Sequence, residues 1–201
     1  MCDMEINMKR NDITLFIAFI VCFLFSASIQ AAETFTLDPE HTYVLWHIKH
    51  LGFSTQTGKW YATGTLVLDQ DNPANSTVKA TIQVANVITG IPELDKHLKG
   101  KLFFDIVQFP TATFVSDKVE VTGKDTAKIQ GILTVRGVSK PVTLDAKLNL
   151  ASVNPINDKM TAGFSATASL KRSDFGMTTL LPGLGDEVAL NIEAEAFKPK
   201  K

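Results

Sequence analysis

From residue 34 onward the chain alternates apolar and polar residues with period two, the rhythm of antiparallel strands that bury one face. Thr42–His50 places Val44, Trp46 and Ile48 on one side, and Trp60–Asp69 does the same with Trp60, Ala62, Gly64, Leu66 and Leu68. Thr77–Val87 follows with Val78, Ala80, Ile82 and Val84. Further on, Lys128–Arg136 alternates through Gly131, Leu133 and Val135. Val142–Leu150 sets Val142, Leu144, Ala146, Leu148 and Leu150 against Thr143, Asp145, Lys147 and Asn149. Two more strands carry Met160 to Leu170 and Val188 to Ala196. Turn chemistry separates them: Asp71–Asn75, Gly137, Asn154–Asp158 and a Gly/Pro-rich loop from Gly176 to Asp186. Phe114 and the pair Val119 and Val121 have opposite parity, which predicts a β-bulge near Asp117.

One stretch breaks the rhythm. Ile91, Leu94, Leu98 and Leu102 recur at helical spacing, Pro92 suits a first helical turn, and Glu93 favours the positive helix start. An apolar cluster follows, Leu102, Phe103, Phe104, Ile106, Val107 and Phe109, and Pro110 ends it. The pattern predicts a short helix over about 91–104 with an aromatic skirt, inserted to cover or plug an open end of a β structure. Seven or eight antiparallel strands with one apolar face make a sandwich or a closed barrel. The inward set includes Gly64, Ala80, Ala146, Ala162, Ala166, Ala168, Ala194 and Ala196. Small residues there either leave room for a ligand or fit the taper of a filled barrel, and spacing alone does not choose.

The first 31 residues have a different plan. Lys9 and Arg10 precede an apolar run from Ile13 to Phe25, and Ser26, Ala27, Ser28, Ala31 and Ala32 close it. That predicts a secretory signal peptide over 1–31 and a mature barrel domain over 32–201, with Met8 as an alternative start. The run from 13 to 25 is shorter than the roughly 20 residues that cross a bilayer as a helix. Cys2 and Cys22 both fall in the leader, so the mature chain has no cysteine and forms no disulfide. Removing Lys9 and Arg10 from 20 basic residues, and Asp3, Glu5 and Asp12 from 21 acidic ones, leaves 18 of each. A neutral mature chain argues against nucleic acid or an anionic membrane surface as partner on charge grounds.

The chemistry is sparse. His47 and His50 are three apart on a strand and face opposite sides, and no cysteine assists, so no metal site is expected. No nucleophile elbow, phosphate-cradling loop or zinc-protease helix motif occurs. Asp95 and Asp105, with His97 nearby, are the one carboxylate group that an enzyme could use, although capping and solvation explain them as well. Trp46, Phe103, Phe104, Phe109, Phe114, Phe164 and Phe175 line a tunnel or pack a core; taken alone, large apolar residues are mostly interior ones.

Several ordered blocks resemble the YceI-like family of secreted bacterial proteins. They include His41-Thr42 with Val44, Trp46 and Ile48, then His50-Leu51-Gly52, and later Asp95, His97, Leu98, Phe103, Phe104 and Asp105. Gly131, Leu133, Thr134, Gly137, Val138, Lys140, Pro141 and Val142 follow, as do Gly163-Phe164-Ser165-Ala166 and Arg172-Ser173-Asp174-Phe175-Gly176-Met177. The resemblance implies an elongated eight-stranded antiparallel lipocalin-like β-barrel with a lipid in its bore. It implies a periplasmic, non-enzymatic carrier of a polyisoprenoid lipid such as an isoprenoid quinone, with no cofactor or metal. The expected tunnel wall is Val44, Trp46, Ile48, Trp60, Leu66, Ile82, Val84, Phe103, Phe104, Phe109, Phe114, Leu133, Val135, Leu144, Leu148, Phe164 and Phe175, with Asp95 and His97 at a polar mouth. Expected partners are the long-chain isoprenoid lipid, transiently a membrane or membrane protein, and a second copy of the chain; nucleic acid is not among them. Leu94 stands where the family usually has Arg, and Gly100 where it often has Ser. A lipid-modifying enzyme and a solid-core β adaptor are the rival readings.

Overall fold

Alternation continues through nine strands in the computed structural model, which describes residues 32–199. They are β1 (Glu33–Leu37), β2 (Tyr43–His50), β3 (Ser54–Leu68), β4 (Thr77–Gln83), β5 (Thr111–Val121), β6 (Thr126–Val135), β7 (Val138–Val153), β8 (Met160–Lys171) and β9 (Leu184–Phe197). Each strand from β2 to β9 pairs antiparallel with the next, and β2 pairs with β9, so the sheet closes. Closure leaves an eight-stave barrel without edges, which is how an all-β chain avoids unpaired strand backbone. The leader expected over 1–31 lies outside the described residues.

The extra strand shares a stave. β1 pairs with the far end of β3 (Glu33↔Leu68) and with the last residues of β9 (Leu37↔Ala196), whereas β2 pairs with the near end of β3 and the start of β9. β1 and β2 are therefore two halves of one stave, interrupted at Asp38–Thr42. The sequence pattern starts the first strand only at Thr42, because β1 is too short to show its own period.

The bulge expected near Asp117 is present, as a register shift between Ser116 and Lys118 against β6. A second shift, between Leu148 and Leu150 against β8, was not anticipated. It turns Leu150 outward, against the simple alternation that put Leu150 beside Leu148. The inserted helix α1 is Pro92–Lys99, shorter than 91–104, because Gly100 caps it and Lys101–Phe104 proceed as turns. Eight residues are too few to be helical alone, so packing must hold them. Leu98 is buried, and Leu94 packs on the same cluster.

The two ends of the barrel differ. At the end away from α1, Phe35 and Leu37 from β1 plug the interior against Leu66, Leu68, Ala162 and Ala196, with Val78, Ala80, Met160 and Phe164 around them. Phe35 has no exposed surface. Gly64 faces β4 so closely that a Cβ would stand 2.0 Å from the Lys79 carbonyl oxygen. Small residues thus fit the filled end, where Ala80, Ala162 and Ala196 pack in the same cluster as Phe35. The end bearing α1 is where space remains.

Candidate functional site

That space is a cavity of about 660 Å³. Its walls are inward residues of six strands: Val44, Trp46 and Ile48 of β2, Trp60 of β3, Ile82 of β4, Ala112 of β5, Leu133 and Val135 of β6, and Leu184, Val188 and Leu190 of β9, joined by Leu170 near the end of β8. Val84, Ile91, Leu94, Leu98, Leu102, Phe103 and Phe104 from the insert roof it, with Phe175, Met177 and Leu180 from the β8–β9 loop. Polar groups are few: His50, Gln56, His97, Arg172 and Thr179. A large, almost wholly apolar chamber accepts a hydrocarbon and offers little to a charged molecule.

The aromatic wall is locked by edge contacts. The Trp46 and Trp60 rings lie 6.0 Å apart, and Phe104 meets Trp60 edge-on at 5.1 Å. Trp60 Nε1 donates to the Val84 carbonyl at 3.1 Å, tying β3 to the start of the insert. Trp46 lies flat on Gly58, where a Cβ would come within 2.3 Å of its ring, and its buried Nε1 has no hydrogen-bond partner. Glycine at 58 is therefore what lets the indole lie back against β3.

Six residues expected in the tunnel wall lie elsewhere. Leu66 and Phe164 belong to the packed far end. Phe114, opposite Ala80, is one inward position below Ala112, opposite Ile82. Its ring covers Gly131, and Phe109 covers Gly137 in the β6–β7 turn. Leu144 and Leu148 are partly buried on β7, a strand that contributes nothing to the cavity wall. For the five on strands the cause is depth, since alternation tells which face a residue takes and not how far along the barrel it sits; Phe109, ahead of β5, is taken up by the turn at Gly137. None of the small inward residues from Gly64 to Ala196 borders the cavity either.

Asp95 does not border the cavity. Its carboxylate accepts from the Thr89 N–H at 2.9 Å and the Thr89 hydroxyl at 2.6 Å, fixing the loop ahead of α1. Asp105 is buried in a left-handed turn (φ +48°), where its carbonyl accepts from Gln108 and Phe109. His97 borders the cavity, exposed on one side and edge-on to Phe103 at 6.1 Å. The polar side-chain atoms of Asp95, His97 and Asp105 do not all come within 4.8 Å of one another, and the Asp95 carboxylate is engaged by Thr89.

Arg172 belongs in sequence to the block that resembles the family, and its position in the fold is more informative. It is 3% exposed, and its guanidinium donates to three carbonyls: Gly185 (2.7 Å), Met177 (2.7 Å) and Leu184 (2.9 Å). Burial pushes its pKa down, partly offset by Asp186. Asp186 accepts from the Ser173 N–H and hydroxyl, which hold its carboxyl below the usual range. Together these bonds fold the β8–β9 loop across the cavity, with Phe175 and Met177 facing in. The signal was the run Arg-Ser-Asp-Phe-Gly-Met just after a strand, in which three polar residues lead into Phe175 and Met177.

Among the described residues, one group has metal-ligand types close together: Asp38, His41 and Glu195, at the break in the first stave, outside the cavity lining, with His41 and Glu195 bordering an outer groove. His41 Nδ1 and Asp38 are 3.1 Å apart, and the carboxylate holds the imidazole pKa above its ordinary value. That pairing satisfies both groups without an ion.

A family model described as the YceI-like domain matches residues 35–196. Protein YceI of Salmonella arizonae is 38% identical over 196 residues, covering 96% of this chain and 100% of its own length. Burkholderia cenocepacia BcnA has a similar structure, with a TM-score of 0.72 at 23% identity, covering 79% of this chain and 98% of BcnA. A polyisoprenoid binding domain from Saccharophagus degradans, implicated in plant cell wall breakdown, gives a TM-score of 0.65 at 13% identity over 82% of this chain and 98% of that domain. At those identities the two structures establish a shared fold.

Proposed function

The chain belongs to the YceI-like family, and from that membership we propose that it is a non-enzymatic carrier that holds the tail of a polyisoprenoid lipid, such as an isoprenoid quinone, in the cavity. The observation that carries the reading is the cavity of about 660 Å³ with an apolar wall. Its size lies within the range of roughly 300–1,000 Å³ usual for ligand sites. The name of the Saccharophagus degradans domain supports the ligand class. Burial of a tail is worth about 0.8 kcal/mol per methylene against water. A bilayer already supplies most of that, so net affinity relative to a membrane is small and the carrier loads and releases readily. The leader pattern over 1–31 supports export, with the periplasm as the destination.

Mass spectrometry of an organic extract, from protein purified without detergent, tests the proposal. A stoichiometric polyprenyl species is expected. Repeated recovery of lipid-free protein that also fails to take up an added isoprenoid quinone would overturn it.

A further inference from the structure

The cavity mouth is ringed by apolar side chains that no other part of the described chain covers. Leu51 and Phe53 in the β2–β3 turn, Ile91, Leu102 and Val107 in the insert, and Leu180 in the β8–β9 loop are all at least half exposed, Phe53 and Val107 at 89% each. These segments all emerge at the same end of the antiparallel barrel, because the turns after β2, β4 and β8 share it. They also touch: the Leu51 N–H donates to the Gly183 carbonyl, and the Thr179 hydroxyl donates to the Leu102 carbonyl. The three segments are therefore joined, and Leu51, Ile91, Leu102 and Leu180 belong both to the rim and to the cavity wall. A surface on which cavity lining runs out unbroken onto exposed rim is unusual for a soluble monomer, where large apolar patches mark contacts.

Charge says what the rim meets. Lys49, near the end of β2, precedes Leu51 and Phe53, and Lys96, Lys99 and Lys101 run up to Leu102. In the insert, Asp105 is buried and the Asp95 carboxylate is occupied by Thr89, which leaves Glu93 as the one exposed carboxylate beside three lysines. The outer groove that reaches the other end is lined by Glu40, Glu193 and Glu195. The mouth ends of β8 and β9 and the loop between them add exposed Lys171, Asp174 and Glu187, so zero net charge conceals a local excess of lysine in the insert, where Lys96, Lys99 and Lys101 are interleaved with the apolar rim. That combination suits an interface of acyl chains and anionic headgroups.

We infer that the mouth end docks on a bilayer bearing anionic lipids, inserting Phe53, Leu102, Val107 and Leu180 among the acyl chains so that the cavity opens directly onto the membrane. The inference rests on the carrier reading and specifies where the carrier loads. It deepens the structural meaning of the insert, which roofs the cavity and supplies most of the rim.

Co-sedimentation with vesicles of phosphatidylcholine alone, and of phosphatidylcholine with phosphatidylglycerol, tests it on the full mature chain. The protein should pellet with the anionic vesicles, and high salt should weaken the association. The double variant Phe53→Ser/Val107→Ser alters two exposed side chains that do not line the cavity, and it should bind about tenfold more weakly, since binding scales with inserted apolar area. Lys96→Glu/Lys101→Glu should lose the preference for phosphatidylglycerol. Ile156→Ser, at an equally exposed apolar position on the opposite end, should bind like wild type. Wild type remaining in the supernatant with both vesicles, or rim variants pelleting as wild type does, overturns the inference. So does a concentration-dependent dimer abolished by Phe53→Ser in the absence of lipid, which would assign the rim to a second copy. Extracts of the same proteins separate the two readings: lipid retained without vesicle binding removes docking alone, and vesicle binding by protein that never holds lipid removes the carrier alone.

Discussion

Gly58 shows how much of a cavity depends on a missing methyl group. The Trp46 indole rests where a Cβ at 58 would stand, so any side chain there drives the ring toward the hollow. Gly58→Ala should overpack the β2–β3 face at a cost of about 1–3 kcal/mol. The displaced ring then occupies volume a tail would use. Lipid recovered per mole of protein should fall sharply, and Gly58→Ala/Trp46→Leu should restore it; equal lipid content in Gly58→Ala and wild type would show that the indole does not control capacity. At this scale the sequence was readable by face. Val44, Trp46, Ile48, Trp60, Ile82, Leu133 and Val135 follow from alternation, and the structure puts them on the cavity wall. Phe103, Phe104, Val84 and Phe175 are there too. Leu66 and Phe164 obey the same alternation and yet sit in the plug, because period two carries no information about height.

At the scale of elements, the β8–β9 loop is a latch with one titrating part. Asp186 is held below its ordinary pKa of 3.8, first by the Ser173 N–H and then by the Ser173 hydroxyl. A depressed carboxyl stabilises the fold fully above that ordinary value. The contribution fades as the pH falls through the lower folded value, where the carboxylate protonates and ceases to be a charged acceptor. Amides near Ser173 should therefore exchange faster with solvent in that acidic window, while those of β6 and β7 stay protected. Asp186→Asn should raise exchange at neutral pH and remove the acid step; an unchanged profile would mean that Arg172 alone holds the loop. The elements were also where sequence reading had most success. The period-two strands, the inserted helix and the bulge at Asp117 were legible, since each changes the parity of side chains. The half-stave β1, the stop of α1 at Gly100 and the bulge before Leu150 were not, because short segments and single-residue slips are set by tertiary pairing.

For the molecule as a whole, the barrel has one filled and one hollow end, and their mechanics should differ. Phe35→Ala removes a fully buried ring from the plug and should cost about 3–5 kcal/mol. Leu133→Ala, on the cavity wall, removes atoms that already border empty space, and should cost about 2 kcal/mol, the low end of what such truncations cost. Chemical denaturation of lipid-free protein measures both. Similar losses at the two sites would mean that the upper barrel is as tightly packed as the lower.

The seam of the barrel has a further consequence, one of timing. β2 and β9 are hydrogen-bonded neighbours, with Tyr43 opposite Glu193, although nearly the whole barrel separates them along the chain. β1, whose Phe35 fills the floor, likewise waits for Ala196. Neither wall nor floor exists until the last strand arrives, so no chamber is offered to a hydrophobic guest while the chain is incomplete. Contacts so distant in sequence also slow folding, toward the millisecond-to-second range of closed β topologies. Cargo can only be taken on by a finished molecule.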